Sequence, residues 1–118
     1  MSAERWVVAA VVLAAALVLV PRFLGGRKVS SDVVRQKIAA GAVILDVRTP
    51  DEFRTGAYPG AINIPVQALA GRMGEIPKGK PVVVYCASGM RSASAATALV
   101  RAGFTDVVNA GGLGSMPR

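Results

Sequence analysis

The sequence predicts an α/β fold: a small, mostly parallel central sheet flanked by helices, preceded by one transmembrane helix. Three observations carry this expectation. Short apolar runs of strand length alternate with segments of helical period, the order that builds a parallel sheet with its crossover helices packed on the faces. Two of the runs, Ala42-Val43-Ile44-Leu45-Asp46-Val47 and Val82-Val83-Val84-Tyr85, are almost unbroken, as strands covered on both faces are. Trp6 to Val20 is a separate stretch of fifteen consecutive apolar residues, nine of them Val or Leu.

Taken in order, residues 1–5 are a short tail and 6–24 the predicted membrane span. Trp6 to Val20 alone covers about 22 Å at 1.5 Å per residue; continuing through Pro21-Arg22-Phe23-Leu24 reaches about 28 Å, close to the hydrocarbon thickness, with Arg22 near enough to the end to reach the headgroups. A cleaved secretory signal is the competing reading, but no Ala-x-Ala follows the apolar run, so an anchor is favoured. Arg22, Arg27 and Lys28 outweigh Arg5 and Glu4, which places the remaining chain on the cytoplasmic side of a bacterial-type inner membrane, crossed once, with the periplasmic side as the alternative. Residues 25–30, with Gly25-Gly26, read as a flexible linker. The domain is expected over 31–118.

Within it, Ser30 or Ser31 caps a helix to about Ala40, with Val34 and Ile38 on one face and Gly41 as its stop. The apolar run 42–47 is a strand with Asp46 at its carboxyl end. Thr49-Pro50-Asp51-Glu52 supplies an N-cap, a proline at the first helical position and first-turn acids, so a short helix is expected to Thr55, ending at Gly56, with Phe53 as its core anchor. Ala61 to Pro65 is a short strand, and 66–73 a helix facing inward through Val66, Leu69 and Met73. Pro81 opens the strand that ends at Cys86. Arg91 to Ala102 is helical, with Ala95, Ala98, Leu99 and Ala102 at core spacing and Gly103 as its stop. Thr105 to Asn109 is a last strand, and Ala110 to Gly114 a glycine-rich exit.

Composition removes several function classes. There are 14 Lys+Arg against 7 Asp+Glu, but beyond Ser31 the basic residues are dispersed, so a solvated surface is preferred to nucleic-acid binding. The 118 residues contain no histidine, which excludes Ser-His-Asp triads, Cys-His dyads and histidine metal sites. A single cysteine excludes an internal disulfide and a cysteine-cluster zinc site. No metal and no cofactor are expected.

The chemistry then falls to Cys86, at the mouth of a strand, tight loop and helix. The backbone N–H groups of residues 87 to 91 (Ala87, Ser88, Gly89, Met90, Arg91) can converge on one anion, backed by the positive end of the helix dipole, and Ser88 and Ser92 can add hydroxyl donors. Such a cradle favours a thiolate, the reactive form of cysteine. Gly89 is the residue expected to adopt a positive φ there. Arg91 either presents its charge to an anionic donor or, as preferred, turns inward to pair with Asp46 or Glu52. Arg48 either pairs with Glu52, four positions on, or meets the substrate. An inert buried cysteine is the bland alternative, disfavoured by the strand, loop and helix context.

Together, Leu45-Asp46-Val47-Arg48, Glu52-Phe53, Gly56, Pro59-Gly60-Ala61-Ile62-Asn63-Ile64-Pro65, Cys86-x-x-Gly89-x-Arg91-Ser92, Gly103-Phe104 and Gly111-Gly112 resemble the rhodanese (sulfurtransferase) homology domain, from about Val29 to Pro117. The ending Asn109-Ala110-Gly111-Gly112-Leu113 with Met116-Pro117 is similar to small single-domain thiosulfate sulfurtransferases of bacteria. Two departures stand out: Ala57-Tyr58 replaces a usual His-Ile pair, and the usual last helix after the double glycine is missing, leaving one flank of the cleft open. The resemblance implies that Cys86 takes the outer sulfur of thiosulfate or a persulfide donor, holds it as a persulfide, and passes it to a thiol or cyanide-like acceptor, a protein acceptor included. A cysteine-dependent phosphatase or arsenate reductase uses a similar cradle, but Cys86 to Arg91 spans Cys-x4-Arg, one residue shorter than the phosphatase loop. The third reading is a membrane-tethered persulfide carrier with little turnover.

Overall fold

The computed structural model describes residues 26–118, so the predicted span over 6–24 lies outside the described residues. Among the described residues, no helix is long and apolar enough to cross a membrane. The elements are α1 (Ser31–Ala39), β1 (Val43–Asp46), α2 (Pro50–Thr55), β2 (Ile62–Asn63), α3 (Leu69–Arg72) between two 3-10 turns, β3 (Val82–Cys86), α4 (Met90–Arg101) and β4 (Val107–Gly112), followed by a 3-10 turn over Leu113–Ser115. The sheet has the order β2-β1-β3-β4, and every pairing is parallel. Each crossover therefore has to pass over a face, and the strands are buried from both sides.

The two faces separate neighbouring side chains of β3. Val82, Val84 and Cys86 pack with Leu45, Val47, Ile64, Leu69, Ala95, Ala96 and Leu99, under α4 and the 66–76 segment. Val83 and Tyr85 face the other way, with Val34, Ile44, Ala110 and Met116. The period of two thus aims Cys86 at α4 and Tyr85 at the α1 side. α1 and α2 start as their sequences direct: Ser30 accepts from the Val33 amide at 3.3 Å, and Thr49 and Glu52 form a reciprocal capping box behind Pro50.

Five expectations change. Segment 66–73 is not one helix: after Pro65, with Gly71 inside it and Gly74 just beyond, it is a single α turn between two 3-10 turns. Phe53 is half-buried and joins neither core cluster, because six-residue α2 follows the carboxyl end of β1 rather than covering a sheet face. α4 buries Ala95 and Leu99 as expected, but the rest of its inward stripe is Ser92 and Ala96, while Ala98 is half-buried and Ala102 exposed. β4 does not stop at Asn109 but runs through Gly111 and Gly112, which pair with Tyr85 and Cys86. The expected linker is not free either: Lys28 bridges Asn109 in parallel, and the Val29 amide donates to the Asn109 carbonyl at 2.9 Å, extending the sheet edge.

Candidate active site at the end of the central strands

β3 delivers Cys86 to the carboxyl edge of the sheet, and Ala87-Ser88-Gly89 turn the chain back into α4. Gly89 is the N-cap with φ +106° and carries no side-chain cap, so the first amides of α4 keep their hydrogens for another acceptor. Only glycine takes that φ without strain. The acceptor is the sulfur: the Gly89 N–H lies 3.0 Å from Cys86 Sγ, and Ser92 Oγ lies 3.4 Å from it. Ser92 Oγ is also 3.1 Å from the Gly89 carbonyl and 3.3 Å from that of Gly111. Its one hydrogen can serve those carbonyls when Cys86 is a thiol and turn to the sulfur when it is a thiolate.

Cys86 is fully buried. Burial pushes its thiol up, but the Ser92 hydroxyl and the backbone amides of Ser92, Gly89 and Ser88 pull it down further, and the net position is below the ordinary value. The loop thus brings Ser88, Gly89 and Ser92 to the sulfur. Ala87 instead places its carbonyl against β4, and the Met90 side chain is 82% exposed. The close approach at Ala87 explains Gly112: a Cβ there would sit 2.4 Å from the Ala87 carbonyl oxygen. Gly112→Ala is expected to leave the domain folded while displacing the loop and lowering activity at least tenfold, as roughly 1 Å misplacements at reacting groups do; steady-state kinetics beside a circular dichroism spectrum checks this.

The arginines divide the acids between them. Arg91 pairs with Glu52 through two hydrogen bonds of 2.7 and 3.1 Å, tying α4 to α2 beside the loop. Arg48 does not pair with Glu52. It folds back on Asp46, with Nε at 3.0 and 3.1 Å from the two carboxylate oxygens and a terminal nitrogen at 2.7 Å, and also donates to the Gly56 carbonyl at 2.7 Å. The reason is burial: Asp46 is 0% and Arg48 6% exposed, and a buried charge needs its nearest partner. Asp46 is therefore already claimed and does not meet Arg91.

Tyr85 is the residue sequence reasoning missed. Its hydroxyl donates to Asp46 at 2.7 Å and accepts the Tyr58 amide at 2.9 Å. The signal was available: a tyrosine one position before the cysteine must face away from it, and a buried phenol needs a partner. Burial, first of all, pushes its hydroxyl up to about 12, so it remains a donor.

The Arg91 hydrogen bonds, then those of Thr49, hold the Glu52 carboxyl at about 2, below its ordinary 4.5. A depressed carboxylate contributes stability that is complete above about 4.5 and is lost as pH falls toward about 2. Glu52→Gln should therefore be less stable than the parent near neutrality and show a shallower loss across that acid window, read by denaturant unfolding at a series of pH values. Equal slopes in parent and variant would mean that the pair does not form.

A buried cysteine whose sulfur accepts from a backbone amide, at the carboxyl edge of a small parallel sheet, is the site this fold presents. The model of the rhodanese-like domain matches residues 30–114, and the chain belongs to that family. It is 37% identical to a sulfurtransferase of Allochromatium vinosum, over 70% of this chain and 78% of that one. It is 39% identical to the thiosulfate sulfurtransferase GlpE of Pseudomonas syringae pv. syringae, over 61% of this chain and 68% of the relative. Among solved structures, a rhodanese-related protein of Thermoplasma volcanium superposes with a TM-score of 0.65 at 34% identity, covering 73% of this chain and 85% of that one.

Proposed function

We propose that the chain is a sulfurtransferase that moves a sulfane sulfur from thiosulfate or a persulfide donor to a thiophilic acceptor through a persulfide on Cys86. The observation that carries this is the Gly89 amide 3.0 Å from the sulfur, with Ser92 beside it and a downward-shifted thiol. In the first half-reaction the Cys86 thiolate attacks the outer sulfur of thiosulfate. A sulfur–sulfur bond forms, the donor's sulfur–sulfur bond breaks, and sulfite leaves with the electron pair. In the second, cyanide or a thiolate attacks the terminal sulfur and departs as thiocyanate or a new persulfide, returning the Cys86 thiolate. The loop amides hold negative charge on sulfur at every stage, as preorganised donors do for developing anions.

Full burial of Cys86 suits slender donors, and the persulfide carries the reactive atom one S–S bond, about 2 Å, beyond Sγ. Purified protein given thiosulfate and cyanide is expected to release sulfite and thiocyanate in equal amounts. A persulfide that forms but turns over slowly would favour the carrier reading; aryl phosphate hydrolysis without sulfur transfer would favour the phosphatase.

The apolar stretch 6–24 is proposed as a single-pass anchor in a bacterial-type inner membrane, with the domain on the cytoplasmic face. The nine Val and Leu residues of 6–20 supply roughly −3 to −5 kcal/mol toward insertion, and Arg22, Arg27 and Lys28 supply the orientation. Retention in membranes after carbonate washing, with a reporter fused after Arg118 active only in the cytoplasm, is the expected result.

A further inference from the structure

We propose that Asn109 is a positioning residue for the reactive sulfur, holding the β4 bulge behind the Cys86 loop while the chain at Gly26 fixes the orientation of its amide. This rests on Cys86 being the sulfur carrier. Asn109 is 2% exposed although it stands on the last strand of the sheet. Its Oδ1 accepts the Gly111 N–H at 2.9 Å, two residues on, in an Asx turn, and its Nδ2 donates to the Gly26 carbonyl at 3.0 Å. At this point the register with β3 shifts: Val84 faces Asn109 but Tyr85 faces Gly111, leaving Ala110 as the extra residue of a bulge.

The bulge sets what lies behind the loop. It places the Gly111 carbonyl 3.3 Å from Ser92 Oγ, Gly111 Cα within 3.4 Å of a Cβ built on Gly89, and Gly112 opposite Cys86. The Ser92 hydrogen is shared among the Gly89 carbonyl, the Gly111 carbonyl and the sulfur, so the position of the Gly111 carbonyl governs how readily it turns to a thiolate. Without the Asx turn, the Gly111 amide loses its acceptor, the bulge relaxes, and the Gly111 carbonyl shifts relative to Ser92 Oγ. The charged groups on the elements around the loop are Arg91 on α4 with Glu52 of α2, Asp46 of β1 with Arg48, and Lys28, whose stem covers Gly111. Asn109→Thr and Asn109→Val keep every one of these groups, and both lose the Gly26 tether next to Lys28, so any shift of Lys28 is common to the pair.

The test compares Asn109→Thr with Asn109→Val in the full-length protein. The two are alike in shape and both lose the donor to Gly26, but only threonine keeps an oxygen for the Gly111 amide. With a single cysteine in the chain, iodoacetamide alkylation reads Cys86 alone. The pH midpoint of alkylation is expected to rise by about one unit in Asn109→Val, a tenfold smaller thiolate fraction below the midpoint, and to stay near the parent value in Asn109→Thr. An unmoved midpoint in the valine variant, or equal displacement in both, would overturn the proposal. Should the valine variant not fold, the parent decides: its Asn109 side-chain amide resonance should follow the Cys86 titration, and a flat resonance contradicts the coupling. Alkylation needs no sulfur donor, so failure of sulfur transfer itself would show separately, as absence of the persulfide.

Discussion

Cys86→Ser should lose sulfur transfer by a factor on the order of a thousand or more while remaining folded. The reason is chemical rather than structural. A serine hydroxyl matches the thiol in size but ionises far outside the working pH range, and the chain holds no histidine to take its proton. The loop amides that suffice to lower a thiol cannot do the same for an alcohol. Sulfite release from thiosulfate, with cyanide in excess, measures the loss. Residual transfer within tenfold of the parent would mean that the sulfur travels by another route.

The largest effect on stability is expected from Asp46→Ala. Its carboxylate accepts from Arg48 three times through the side chain and once through the backbone amide, and from the Tyr85 hydroxyl. Removing it leaves a buried guanidinium with the Gly56 carbonyl as its hydrogen-bond acceptor and the Tyr85 ring beside it, at a cost of about 3–5 kcal/mol. Against a typical domain stability of about 5–15 kcal/mol that is close to unfolding. The paired replacement Asp46→Leu with Arg48→Met removes both charges and should recover much of the loss, which denaturant unfolding of the two variants would show. A cost below about 1 kcal/mol for Asp46→Ala would place the charges nearer to solvent than the structure has them.

The parts of this protein that follow local rules are legible in its sequence. Serine, threonine and proline mark the starts of α1 and α2, glycines mark helix ends, and the valine run ending in Cys86 announces a strand, a loop and a helix. What was not legible depends on register. Arg48 and Glu52 are four positions apart, which leaves a pair and a substrate contact equally open, yet the chain leaving β1 folds Arg48 back over Asp46, and only the parallel pairing of Asp46 with Tyr85 shows why that acid is fully occupied. Gly111 and Gly112 read as a glycine-rich exit following a strand that ends at Asn109. Gly112 lets β4 pass close behind the loop, a constraint set by the Ala87 carbonyl more than twenty residues earlier, while Gly111 takes a φ of +86° beneath the Lys28 stem. Segment 26–29 likewise looks like a linker until β4 supplies an edge for it to join.

Sulfur transfer as proposed requires a sulfur atom to reside on Cys86, and intact-mass measurement of the protein after brief exposure to thiosulfate tests that most directly. A gain of one sulfur atom per chain, matched by sulfite released and erased by cyanide, is the predicted result. A chain of unchanged mass alongside released sulfite, or the same gain in Cys86→Ser, would contradict it.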